Sequence, residues 1–284
     1  MLIKQLITMK ILVSINLLLL CFGFINQGFA INPDREYIRT PDSVSWDYEQ
    51  LTILTKDHFK LNSWIYKANR DRDKDTVLIL AYPDAGNMSY FVYHSAILAN
   101  SGYTVVTFDY RGFGKSDDFE IQHEYLYHSE FAWDLEAVVD SISEKYTDKK
   151  IGVLAMSMGT TIASRAYPLI ESNIDFIVGE GYVTDTLAIA NRLKAKNKQI
   201  LLPEQPVHYQ NAINSIQIPI LILAGSADKI TTYDDAVVLG KKLGENCTVV
   251  KFEGEHLAGF HVDYDQKGFG GWYVEQIDQF VNKL

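Results

Sequence analysis

The stretch Ile151-Gly-Val-Leu-Ala-Met-Ser-Met-Gly159 decides how the rest of the chain is read. Ile151 to Ala155 is an apolar run that reads as a buried strand, and a helical pattern, Thr160 to Ile170, follows at once. Ser157 stands in the turn between them. A serine at a sharp strand-to-helix turn takes a strained backbone conformation that lifts its hydroxyl above the sheet. Strand and helix pass close together there, so the positions two before and two after need small residues. Ala155 and Gly159 supply them, with alanine where the first glycine is usual. A small-x-Ser-x-Gly string is common by chance; the strand-turn-helix setting gives it weight.

Serine is a weak nucleophile at neutral pH unless a base takes its proton and a carboxylate holds that base in one tautomer. After such a turn the partners come from the ends of later strands, in the order serine, acid, histidine. Ile220-Leu-Ile-Leu-Ala-Gly-Ser-Ala-Asp228 places Asp228 just past an apolar run, and Val249-Val-Lys-Phe-Glu-Gly-Glu-His256 places His256 in the loop after the last one. Alone, such an aspartate is more often a cap or turn residue, and one histidine among seven is usually structural. Their joint placement is the signal. Glu180 is the competing acid and His261 the competing base. An oxyanion needs two backbone N–H donors. Met158, at the positive start of its helix, is the first candidate. Asp84, in Ala81-Tyr-Pro-Asp-Ala-Gly-Asn87, is the second, because Pro83 has no N–H. The plain alternative is a Pro-Asp-Ala-Gly turn.

Around these residues, strand and helix patterns alternate. Leu51 to Thr55 and Leu61 to Tyr66 repeat at period two about the turn Lys56-Asp57-His58, which predicts an antiparallel hairpin. Thr76–Ala81, Tyr103–Phe108, Ile151–Ala155, Ile174–Val178, Ile218–Leu223 and Cys247–Phe252 are continuous apolar runs, as in strands covered on both faces. Helical patterns at Phe131–Tyr146, Thr160–Ile170 and Tyr233–Leu243 separate several of them. The expectation is an α/β chain with a mostly parallel, doubly wound sheet and an antiparallel start. Residues 181–217 show no clear strand and hold Arg192, Lys194, Lys196 and Lys198. They read either as a small lid or as a solvated helix face.

A chain of 284 residues, 47% hydrophobic and 22% charged, fits one soluble globular domain, here 31–284. A formal charge of −10 argues against nucleic acid as a partner. Residues 1–30 differ: Lys4 and Lys10 are their only charges, ahead of the apolar Ile11 to Phe24 and the small-x-small end Gly28-Phe29-Ala30. This predicts a secretory signal cleaved after Ala30, with Met9 a more typical start than Met1, and export to a periplasmic or extracellular space with no stable membrane insertion afterwards. A retained anchor is the alternative; a lipoprotein through Cys21 is opposed by Leu20. Loss of both lysines takes the charge from −10 to −12. Cys247 alone then remains, which excludes an internal disulfide and reads as a strand residue. The histidines lack metal-ligand spacing, and no cofactor is expected.

At the turns the chain resembles a known group. Tyr48-Glu-Gln-Leu-Thr-Ile-Leu-Thr-Lys-Asp57 with Leu61-Asn-Ser-Trp64, Asp84-Ala-Gly-Asn87 and Asp109-Tyr-Arg-Gly-Phe-Gly-Lys-Ser116 are similar to the opening hairpin, the His-Gly-Asn-Ala-Gly-Asn loop and the Asp-Tyr-Arg-Gly-Tyr-Gly-x-Ser turn of the serine-aminopeptidase-like, bud-emergence-type branch of the α/β-hydrolase superfamily. The resemblance runs from about Tyr48 to the C-terminus. It implies the α/β-hydrolase fold and a triad of Ser157, Asp228 and His256. Tyr82-Pro83 departs from the branch's His-Gly, which bears on the oxyanion loop and not on the fold.

The expected function is hydrolysis of a small-molecule carboxylic ester through an acyl-serine. Peptide or amide cleavage is the enzymatic alternative, and a non-catalytic binding protein on the same fold the other. Tyr82, Met88, Tyr90, Phe91 and Tyr93 are expected to form an aromatic wall of a shallow cleft, favouring short or medium acyl groups. The basic residues near Lys196 would add a preference for an anionic end if they face it.

Overall fold

Apolar runs without alternation need cover on both faces, and in the computed structural model they become the middle of one sheet. It describes residues 29–196 and 198–284; of the expected signal segment, 1–28 lie outside the described residues. The strands are β1 (Asn32–Pro33), β2 (Tyr48–Leu54), β3 (Lys60–Tyr66), β4 (Thr76–Ala81), β5 (Ala85–Gly86), β6 (Thr104–Phe108), β7 (Lys150–Met156), β8 (Phe176–Glu180), β9 (Ile220–Gly225) and β10 (Cys247–Phe252). The helices are α1 (Val92–Asn100), α2 (Phe131–Lys145), α3 (Met158–Ile170), α4 (Thr186–Lys194), α5 (Pro206–Ser215), α6 (Tyr233–Leu243) and α7 (Gly271–Val281). The eight-stranded sheet has the order β10-β9-β8-β7-β4-β6-β3-β2. The β2–β3 hairpin joins through an antiparallel β3–β6 pair, and the remaining neighbours are parallel. β4, β6, β8 and β9 are buried along their whole length, whereas β2 and β10, at the edges, alternate.

The expected hairpin, parallel strands and helix α6 are present. Thr232 and Asp235 form a capping box that starts α6. The largest shifts among the parallel strands are in β8 and β9, which begin two residues later than the apolar runs suggested and extend to Glu180 and Gly225. The turn Asp109–Ser116 is pinned from below. Arg111 is buried between Asp57 (2.6 Å) and Asp134 (2.7 Å), while Asp109 accepts the Met88 and Lys115 N–H groups at 2.9 and 3.0 Å. The turn therefore shapes the rim through buried ion pairs.

Residues 181–217 hold α4 and α5, with Asp185 capping α4 by accepting the Leu187 and Ala188 N–H groups. Glu204, between the two helices, bonds Arg165 of α3 at 2.7 Å and accepts the Tyr127 hydroxyl at 2.5 Å. The segment is tied down at that point. A strap at the other end of the chain crosses the same face. The Ala30 and Ile31 N–H groups both donate to the His123 carbonyl (2.8 and 3.1 Å), and Asn32 N–H donates to the Asp84 carbonyl (2.8 Å). Among the described residues, no helix is long and apolar enough to cross a membrane.

Candidate active site

β7 ends and α3 begins within one residue, so the turn has no slack. Ser157 takes φ 49°, ψ −114°, a conformation that side chains disfavour. It is held there by its N–H donating to the Glu180 carbonyl (2.9 Å) and by the Thr160 N–H and hydroxyl donating to its own carbonyl (2.8 and 2.7 Å). Gly159 is obligatory: a Cβ there would lie 1.9 Å from the Ala81 carbonyl oxygen.

The structure brings Ser157, His256 and Asp228 into one line. His256 Nε2 lies 2.9 Å from Ser157 Oγ, and His256 Nδ1 lies 2.7 Å from Asp228 Oδ2. An ionised carboxylate only accepts, so Nδ1 carries the proton and Nε2 is left to receive one from the serine. Asp228 in turn accepts the Ile230 and Thr231 N–H groups (2.7 and 3.0 Å) and the Thr231 hydroxyl (2.7 Å). Burial opposes its charge, but the bonds from His256, Thr231 and Ile230 prevail and hold its pKa below the ordinary value. Thr231, whose oxygen is also 3.2 Å from His256 Nδ1, was missed by the sequence reading. Its signal was present in Asp228-Lys-Ile-Thr231, the spacing of a carboxylate that caps its own turn.

The competitors lie elsewhere. The Glu180 carboxylate accepts the Gly259 N–H at 2.6 Å, and His261 is exposed beside Phe269. Met158 and Asp84 line the same pocket as Ser157 and His256. Burial pushes the Asp84 carboxyl above its ordinary pKa, against its own N–H and the charges of Lys198 and His256.

The pocket encloses about 110 Å³. Its walls are aliphatic: Leu126, Val183, Ile189, Leu193 and Ile230, closed at one side by Ala30 of the strap. The expected aromatic wall is not there. Tyr82 and Met88 are fully buried, with Tyr82 stacked on Phe91 and packed on Tyr110, while Tyr90 and Tyr93 are exposed. Tyr82 turns into the core under the loop, where a ring 5.6 Å from Phe91 gains more by packing than by lining a wet cleft. Of the four basic residues, Lys198 alone lines the pocket; Arg192 pairs with Asp235 (2.5 Å), and Lys194 and Lys196 are exposed. Among the described residues, no group of three or more His, Cys, Asp or Glu is placed to hold a metal ion.

The family described as Serine aminopeptidase, S33, matches residues 85–201. A stretch of 84 residues is 42% identical to an uncharacterized membrane protein of Saccharomyces cerevisiae, a match that spans only 28% of the yeast protein. The uncharacterized protein YfhR of Escherichia coli O157:H7 is 25% identical over 89% of this chain and 86% of its own, and the protein bem46 of Schizosaccharomyces pombe is 24% identical over 72% and 69%. An esterase of Pyrococcus furiosus superposes with a TM-score of 0.69 at 21% identity, over 89% of this chain and 99% of that one. The chain has the α/β-hydrolase fold, and its sequence is similar to the serine-aminopeptidase and bem46 proteins. Its eight-stranded sheet is the α/β-hydrolase sheet.

Proposed function

We propose that this α/β-hydrolase cleaves carboxylic esters of small or medium acyl groups through an acyl-serine on Ser157. The observation that carries the reading is the hydrogen-bonded line Ser157–His256–Asp228 at 2.9 and 2.7 Å, opening onto an aliphatic pocket. As Ser157 Oγ attacks the ester carbonyl, its proton passes to His256 Nε2, and Asp228 stabilises the imidazolium. The oxyanion faces the N–H groups of Met158 and Asp84. Collapse breaks the ester C–O bond, and the leaving alkoxide takes the proton from His256. Water, activated by the same base, then attacks the acyl-serine and releases the acid. A small pocket with short aliphatic walls suits short or medium acyl chains, whose tails it can cover. The Pyrococcus esterase, a structural neighbour, supports the same reaction class.

Amide cleavage is the second reading, favoured by the description Serine aminopeptidase of the matching family. A fluorophosphonate probe should label wild type and not Ser157→Ala, and that variant should fold while losing roughly 10⁴ to 10⁶ in kcat. A nitrophenyl-ester series beside aminoacyl-anilides then separates the readings. The expected optimum lies at short or medium chains with little anilide turnover; efficient anilide turnover would promote the amidase reading. We also propose export with cleavage after Ala30, which would remove the residue that closes one side of the pocket and leave its aliphatic walls in place. N-terminal sequencing of exported protein should begin at Ile31; a lipid-modified Cys21 or a retained segment from Met9 would refute it.

A further inference from the structure

Glu180 ends β8 beneath the site and is fully buried, yet the reaction above gives it no part. Its two ends touch two different catalytic segments. Its backbone carbonyl accepts the Ser157 N–H at 2.9 Å, and its Oε1 accepts the Gly259 N–H at 2.6 Å, three residues past His256. The residue itself is fixed on both sides, paired with Met156 of β7 and Leu223 of β9. In the loop it holds, Leu257, next to His256, is held at φ 59°, Ala258 and His261 make only local backbone bonds, and Phe260 packs on Tyr273 beyond the Gly259 contact. Oε2 is buried beside the Tyr273 hydroxyl of α7, which favours the charged carboxylate. The groups facing the carboxyl are Gly259 N–H, Tyr273, His256 and Asp228. Burial, helped by the Asp228 charge, outweighs Gly259, Tyr273 and His256 and pushes the carboxyl up to about 7, so it is about half ionised at neutral pH and mostly uncharged below.

We propose that Glu180 is a positioning residue that sets the distance between nucleophile and base, its backbone fixing the Ser157 turn and its side chain fixing the His256 loop. The inference rests on the serine-hydrolase reading, and it predicts a loss in kcat rather than in binding, because the pocket walls lie on other segments.

The test uses Glu180→Gln, which keeps an acceptor for Gly259, and Glu180→Leu, which keeps only bulk, in the full chain. Glu180→Met replaces the leucine variant if that one does not fold. On a short nitrophenyl ester, the glutamine variant should keep kcat within about threefold. The apolar variant should lose on the order of 10²-fold in kcat, the effect of about 1 Å of misplacement, with KM within about twofold. The Nδ1 proton resonance of His256, read by NMR, should persist with glutamine and shift or broaden with the apolar residue. A folded apolar variant with wild-type kcat, or a glutamine variant as impaired as the apolar one, overturns the proposal. Failure of wild type to take a fluorophosphonate label removes the serine reading separately; an unchanged His256 resonance in the apolar variant then still overturns the clamp.

Discussion

Asp84 joins two opposed properties in one residue: an N–H proposed to meet an oxyanion, and a carboxyl that would repel one when ionised. Burial raises its pKa, so the neutral form extends to higher pH than for an exposed aspartate. As pH rises through that value the carboxylate forms and competes for its own N–H. Asp84→Asn, with the residue the branch carries at this point of the loop, should therefore match wild type at low pH and exceed it increasingly as pH rises. A kcat ratio constant from about pH 5 to 9 would show that the carboxyl does not face the oxyanion. Asp228→Asn should cost about 10⁴ in kcat, because an amide can donate to Nδ1 and so stabilise the wrong tautomer. Glu180 adds a stability signature. Its pKa moves from 4.5 to about 7 on folding, so its contribution is complete below about 4.5 and is lost as pH rises through about 7. Glu180→Gln should flatten that part of a Tm-against-pH curve; an unchanged curve would place the titration elsewhere. Ser157, Asp228 and His256 were legible because each follows a strand end. Thr231 was missed although the Asp228-to-Thr231 spacing carried its signal, and Glu180 was named only as a competing acid, since no linear pattern shows a carboxyl buried against one N–H.

At the scale of elements, the parallel strands announced themselves by burial on both faces, and α6 by its capping box. The end of β8 did not, because a glutamate closes it; only the fold supplies the Gly259 N–H that makes a buried carboxyl tolerable there. The segment 181–217 was legible as an insert and not as a wall. Ile189 and Leu193 lie four apart on α4, a spacing that says one face is covered without saying by what. One of its ties to α3, that of Glu204, is testable. Glu204→Ala removes the acceptor of both Arg165 and Tyr127, and should loosen the wall that α4 gives the pocket. KM for short esters should rise several-fold with kcat changed by less than about threefold, and the chain-length optimum should broaden. An unaltered chain-length profile would show that the tie does not govern the pocket.

Over the whole molecule, the sheet could be read from order along the chain, but the pocket could not. Its lining comes from Ala30, Asp84, Leu126, the Ser157 turn, the insert, Ile230 and His256, residues brought together only by the winding of the sheet. The aromatic wall failed for the same reason: a cluster of large side chains in one loop says that something is packed, and the fold decided that Tyr82 packs inward. One consequence concerns timing. A peptidase must draw several residues of extended chain into its cleft, and Ala30 and Ile31 offer none, being 5% and 0% exposed with both N–H groups bound to His123. Proteolysis of such a bond waits on local or global opening. If the proposed cleavage after Ala30 takes place, it is a race against folding: the cut would belong to the nascent, unfolded chain, and a molecule that folds first would keep the segment before Ile31. Refolded full-length protein should resist a processing peptidase that cuts the same chain at Ala30–Ile31 when unfolded, and equal cleavage of both would show that the strap lifts freely in the native state.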